Sequence, residues 1–281
     1  MNVQDYALNA GDAFVLPEAV MKIKQLIDDD ATSVDDIADV INYDPAIMLQ
    51  VLKISNSALY NFSSTITTVA KSIQVIGTRS IYDLVLAYGV ANAFKSGATD
   101  VVDLDKFWEQ SVSCALLCKY FAEELGLKEP EKMFVCGLLH NIGELIVAQL
   151  NPEVAKKCAS ISSESSPLIL QKKHLGFTYV DVSSELLKLW GIPEDISQIV
   201  SVTHVSEHSA KSKEEKIMQL AYLLALNNVH SEQYPKHANI TEEMYQCLDI
   251  DLPHVDNALD FSNLQLIGAL AVFSPSSSSL F

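Results

Sequence analysis

The chain has 281 residues, 49% of them hydrophobic, and a formal net charge of −17, with 36 acidic residues against 19 basic ones. That is length enough for one large or two ordinary domains around a sizeable core. The acidity disfavours nonspecific nucleic-acid binding, which rests on lysines and arginines displacing counterions, and Arg79, the only arginine, leaves little for bidentate recognition of phosphate.

The N-terminal stretch MNVQDYALNAGDAF has no basic segment followed by an apolar one, so no signal peptide is expected. No apolar run is read as reaching the roughly 18 residues that span a bilayer. Leu16-Pro17 opens a helix running to about Ile27, with Val20, Ile23, Leu26 and Ile27 on one face. Ser33 caps a second, with Asp36 three residues on and Val34, Ile37, Val40 and Ile41 following. Asp44-Pro45 is a capping carboxylate before proline at the first helical position, and starts a helix from Ala46 to about Ser57. A polar loop around residues 61–65 precedes a helix through Val69, Ile73 and Ile76 that Gly77 ends. Thr78 caps an apolar helix through Ile81 and Leu84 to Leu86. Period-two alternation is missing, so this half is all-α.

Ser96 to Asp103, SGATDVVD, reads as a connector and subdomain boundary. A long helix follows from about Asp105 to Leu125 and ends at Gly126. On it, Cys114 and Cys118 lie four apart; among five cysteines without framework-like spacing they read as reduced core thiols, and a cytoplasmic setting is expected. Met133 to Leu150, MFVCGLLHNIGELIVAQL, reads as one helix, apolar all round and therefore central. His140 and Asn141 sit side by side in it, and burying them without partners would cost on the order of 1–3 kcal/mol each. Gly137 and Gly143 are expected to let neighbouring helices come close, despite a propensity cost of roughly 1 kcal/mol each. Asn151-Pro152 caps the next helix, SSESSP at 162–167 is a loop, and Val180 to Trp190 is amphipathic and ends at Gly191. Pro193 starts a helix through Ile196, Ile199 and Val200; 209–215 is a polar loop; Ile217 to Leu226 is apolar all round. Signals weaken over 230–260, a last helix runs from about Leu264 to Val272, and SPSSSSLF is read as a frayed tail.

Two stretches carry a family resemblance. GLLHNIGEL resembles the motif of the HD superfamily, metal-dependent phosphohydrolases with a His-Asp doublet on a buried helix. The segment from Leu16 to Gly77, with Asp44-Pro45, the Asn56-Ser57-Ala58 triplet and Ser72-Ile73…Ile76-Gly77, resembles the HDOD family. That family couples a helical subdomain to a degenerate HD-like one. The resemblance implies an all-α chain with an N-terminal helical subdomain at 1–100 packed on an HD-like helical subdomain at 101–273, and a tail at 274–281. Asn56 and Ser57 are read either as part of the junction between the two or as an ordinary helix end.

The same resemblance implies a ligand set that this chain has largely replaced. Where the family places a histidine in a Trp-x-His-Ser pattern, this chain has Gln110, and the doublet reads His140-Asn141. The histidine ahead of the Trp-Gly-Ile-Pro segment falls at Tyr179, paired histidines read Thr203-His204, and the final aspartate falls at Tyr222. An amide brings no charge to a divalent cation, and two imidazoles alone fall short of the three protein ligands such sites usually offer. Glu144, one turn beyond His140, is a weak replacement by spacing. His204 and His208, four apart, read as a chance surface pair. Gln110, His140, Asn141, Tyr179, His204 and Tyr222 are therefore expected to form a vestigial polar pocket, His140 bonding to neighbours such as Gln110 or Tyr179.

The expected function is that of a non-catalytic regulatory or scaffolding protein in bacterial signal transduction, with no cofactor and no catalytic metal. Its expected partner is another protein, with nucleic acid and membrane disfavoured. The alternatives are a residual metal-dependent phosphohydrolase acting on a nucleotide and, third, a nucleic-acid-binding regulator. The partner's identity and the oligomeric state are not legible in the sequence.

Overall fold

The computed structural model describes residues 1–14, 16–27, 29, 32–57, 59–60, 62–94, 101–204 and 210–273. Most of the expected connector, all of the expected tail and His208 of the expected pair lie outside these. Among the described residues there are sixteen helices and, beyond one isolated bridge between Ser162 and Ser165, no strand pairing. The protein is all-α.

The first half holds α1 (Val3–Ala13), α2 (Glu18–Ile27), α3 (Val34–Tyr43), α4 (Pro45–Ser55), α5 (Val69–Ile76) and α6 (Thr78–Ala93). Two caps read from sequence are present: Ser33 and Asp36 form a reciprocal capping box, and the Asp44 carboxylate accepts from the amides of Ala46 and Ile47 ahead of α4. The expected Thr78 cap is not, because Thr78 is already helical and Gly77, which has no side chain to bond, stands at the cap. Helices α2 to α6 pack on one another, whereas α1 crosses over and packs on the second half. There Tyr6 lies edge-on to Phe177, ring centroids 5.8 Å apart, and its hydroxyl accepts from Asn151 Nδ2 at 3.3 Å. Sequence reading left α1 out, although its own capping box, Asn2 with Asp5, was there to be seen.

The second half holds α7 (Leu104–Glu124), α8 (Pro130–Leu139), α9 (Ile142–Leu150), α10 (Pro152–Cys158), α11 (Pro167–Leu175), α12 (Tyr179–Leu189), α13 (Glu194–Ser201), α14 (Lys213–Val229), α15 (Glu242–Gln246) and α16 (Leu252–Phe273). Its axis is α7, buried on every side from Val112 to Lys119 and packed against α8, α14 and α16. The last helix starts twelve residues before the expected Leu264, where Asp251 accepts from the amide of His254. Cys114, Cys118, Cys136 and Cys158 are buried, whereas Cys247 is exposed.

The expected single helix from Met133 to Leu150 is two. It breaks at His140-Asn141, where Asn141 has φ −108° and ψ 11°. Two competing hydrogen bonds explain the break. The Gly137 carbonyl is taken by the His140 imidazole at 2.7 Å, and the Gly143 amide donates to Ser183 Oγ of α12 at 2.8 Å. Taken together, Pro130–Leu150 is long and apolar enough to cross a membrane, contrary to the expectation from sequence, but 83% of its apolar window is buried among the other helices.

Both glycines do what their positions suggested. A Cβ on Gly137 would stand 2.6 Å from the Ala115 Cα of α7, and one on Gly143 would stand 2.0 Å from the Tyr179 carbonyl oxygen of α12. The break therefore sits where α8 and α9 come closest to the helices that carry Gln110 and Tyr179.

Candidate functional site

His140 is completely buried. Its Nδ1 must carry the proton to donate to the Gly137 carbonyl, so Nε2 is a bare acceptor, and among the described residues it has no hydrogen-bond partner. The expected bonds to Gln110 or Tyr179 are replaced by one within its own helix. That local bond forms because the ring folds back over the preceding turn. Burial pushes the imidazole down to about 4, against the weaker pull of the Gly137 bond and of Glu144.

Tyr222, on α14, packs against both remaining histidines. Its ring centroid lies 5.6 Å from that of His140 and 4.6 Å from that of His204, edge-on in each case. Neither nitrogen of His204 has a hydrogen-bond partner among the described residues. Burial, then the neighbouring His140 and Lys172, holds this ring down at about 3. Both imidazoles are thus neutral at physiological pH.

A cavity of about 330 Å³ opens beside this pair, and Gln110, Asn141, Tyr179 and Tyr222 all line it. The structure therefore brings four of the six expected residues to one wall. His140 and His204 lie behind it, in contact through the Tyr222 ring. Sequence reading left out several other lining groups. Gln171 of α11 accepts from the Tyr179 amide at 2.9 Å, Cys158 ends α10, and Lys106, His230 and Gln233 come from α7 and the turn after α14. Gln171 stands after the apolar Leu168-Ile169-Leu170, where a buried glutamine was legible only as a polar residue on an apolar stretch.

Glu144 lines the cavity as well, on the first turn of α9, and accepts from Asn141 Nδ2. Burial pushes its carboxyl up to about 7, outweighing Asn141 and His140, which both favour the ionised form. Its carboxylate is therefore tied to Asn141 and titrates near neutrality.

These groups do not fit a catalytic dication. The donors at the family's ligand positions are two carboxamides and two phenols, and the remaining imidazoles pack edge-on with the Tyr222 ring. Hard or borderline cations need carboxylates or at least three converging protein ligands. Among the described residues no group of three or more His, Cys, Asp or Glu side chains could hold a metal ion.

Asn56 and Ser57 lie away from this cavity and inside the first half. Asn56 Nδ2 donates to the carbonyls of Leu52 and Ile66, its Oδ1 accepts from the Ile66 amide, each at 2.8 Å, and Ser57 Oγ donates to Ile54. They end α4 and pin the following loop. Polar contacts between the halves include Glu131 of α8, which bonds Lys119 at 2.9 Å, Tyr60 at 3.2 Å and Ser80 at 3.3 Å, and Lys24 of α2, which donates to the Gly191 carbonyl.

Comparison with known proteins adds the following. The family model described as HDOD domain matches residues 14–206. An uncharacterized protein of Treponema pallidum (strain Nichols) is 23% identical over 214 residues, which is 74% of this chain and 40% of that protein. The chain thus spans about two-fifths of the length of the curated relative it matches. A candidate phosphohydrolase of Shewanella amazonensis SB2B superposes with a TM-score of 0.72 at 20% identity, over 95% of this chain and 97% of that one. An HDOD domain protein with unknown function from Geobacter sulfurreducens gives 0.68 at 17%, over 99% and 98%. A candidate signal transduction protein of Marinobacter aquaeolei VT8 gives 0.73 at 19%, over 99% of this chain and 62% of that one. At these identities the likeness shows the fold.

Proposed function

The chain belongs to the HDOD family, and from that premise we propose that it is a non-catalytic regulatory or scaffolding module of bacterial signal transduction. It works in the cytoplasm through contacts with another protein. In this reading residues 1–100 and 101–273 are its helical and HD-like subdomains, with α1 of the first packed across onto the second.

The observation that carries this reading is the Tyr222 ring against both His140 and His204, with amides and phenols at the family's other ligand positions. Hydrolysis of a phosphate ester by a metal site needs a dication to polarise the ester and lower the pKa of bound water. Apart from Glu144, which burial pushes up to about 7, the groups beside His140 bring no charge, and they fall short of the ligand count for that. The competing reading, residual hydrolysis of a nucleotide, comes from the HD-type motif around His140, and the Shewanella amazonensis protein of similar fold is named a candidate phosphohydrolase. Nucleic acid is disfavoured by more than net charge. Arg79 is engaged within its own helix, 3.5 Å from the Asp83 carboxylate and over the Tyr82 ring.

The test is a turnover screen against nucleotides and cyclic dinucleotides with manganese, iron or magnesium, for the wild type and for His140→Ala. No turnover in either is expected. Turnover by the wild type that His140→Ala abolishes would make the protein an enzyme.

A further inference from the structure

Buried polar groups in native proteins are almost always hydrogen-bonded, and an exception calls for an explanation. The 330 Å³ cavity is lined instead by largely buried side chains whose polar ends face its open space. Gln110 is 9% exposed, and neither its carbonyl nor its amide has a hydrogen-bond partner among the described residues. Asn141, 8% exposed, spends Nδ2 on Glu144 and leaves Oδ1 open. Tyr222 is 5% exposed and meets its neighbours through its ring, leaving the hydroxyl open.

The kinds of group set the kind of ligand. A carboxamide presents a donor and an acceptor side by side, matching an amide or lactam edge. Phe107, Tyr179 and Tyr222 add aromatic surface to the lining, and rings favour a planar guest. Anions are poorly served, because Lys106 is the one lysine in the lining and Asp103 and Glu144 line the same space. The volume lies within the range of small-molecule sites, about 300–1,000 Å³.

We propose that this cavity is a binding site for an uncharged, planar small molecule bearing an amide-type donor–acceptor edge, held by Gln110, Asn141 and Tyr222. The inference deepens the regulatory reading and rests on it in one respect, that no catalytic ion occupies the wall. A ligand there would touch α7, α9, α12 and α14 together, and so could set how the second half presents itself to a partner.

The probes are nicotinamide and uracil, with nicotinate as the anion matched to nicotinamide, each titrated by ligand-observed nuclear magnetic resonance into the whole chain. The expected result is saturable binding of at least one uncharged probe, with nicotinate about tenfold weaker or worse. Gln110→Leu and Tyr222→Phe should each weaken binding about tenfold, the loss of one good hydrogen bond, while circular dichroism shows the fold intact. Two variants keep the test decisive should one of them misfold. The proposal is overturned if neither uncharged probe binds and solvent alone fills the cavity, if nicotinate binds as well as nicotinamide, or if both folded variants bind as the wild type does. Phosphate-ester turnover would sink the regulatory reading and leave these titrations standing, so the two failures are distinguishable.

Discussion

The contact between the halves and the cavity of the second half both bury polar side chains, and they treat them in opposite ways. At the contact, Lys119 is 4% exposed yet reaches two carboxylates, Glu123 at 2.8 Å and Glu131 at 2.9 Å, and lies over the Tyr60 ring. Glu131 collects bonds from three side chains. Around the cavity, His140 Nε2 and both nitrogens of His204 are buried without a partner among the described residues, and Gln110 and Tyr222 line the open space itself. Polar groups that hold a structure together are mostly paired, because an orphan costs about 1–3 kcal/mol, although Asp83 of α6 is buried beside this contact with neither carboxylate oxygen hydrogen-bonded among the described residues. Polar groups turned toward an open cavity indicate a surface available to a ligand. The contact is architecture and the cavity is a site.

The largest effect should come from the packing that both regions share. Gly143→Ala drives a methyl into the Tyr179 carbonyl, a backbone atom that cannot swing aside, and should cost about 4 kcal/mol or more. Urea unfolding would measure it. A loss under about 1 kcal/mol would mean that α9 and α12 do not approach as described.

Acid should then separate the two regions. Unfolded imidazoles take up protons below about 6.5, whereas folded His140 and His204 stay neutral down to about 4 and about 3. The unfolded state is therefore favoured progressively as pH falls from 6.5, by roughly 3 kcal/mol per histidine at pH 4. His204→Gln should flatten that part of the stability profile. Glu131 acts lower on the scale. Burial opposes its ionisation, but Lys119 and the bonds from Lys119 and Tyr60 hold its carboxyl below the usual range. Its contribution is present above the ordinary glutamate value of 4.5 and is lost only as pH falls below that.

Smaller effects sharpen the contrast. Glu131→Ala leaves Lys119 with one carboxylate and Tyr60 and Ser80 without their acceptor, and should cost about 2 kcal/mol in urea unfolding. Gln110→Leu removes a group with no hydrogen-bond partner among the described residues, and should stay within about 0.5 kcal/mol of the wild type or gain slightly. A large loss at Gln110 would show that the cavity wall is architecture too.

Legibility in the sequence followed the range of the forces. Local caps such as Ser33 with Asp36 and Asp44 before Pro45 were readable because both partners lie within one turn. Gly137 and Gly143 were readable as close-approach positions because their neighbours are otherwise bulky and apolar. The break at His140-Asn141 was not, since it depends on Ser183 of a later helix capturing the Gly143 amide. The Glu131, Lys119 and Tyr60 contact was hidden for the same reason, its members lying far apart in the chain. Gln110, Tyr179 and Tyr222 could be named only through the family resemblance, because no periodicity marks three uncharged residues on three helices as neighbours. Glu144 was noticed by spacing alone, and only the fold shows its carboxyl tied to Asn141 at the cavity wall.

The central claim is that this wall no longer recognises a metal ion. Manganese(II) added one per chain, followed by the electron paramagnetic resonance signal of the free ion, tests it most directly. The account predicts an undiminished free-ion signal for the wild type and for His140→Ala alike. Loss of the signal at one ion per chain, restored by His140→Ala, would contradict it.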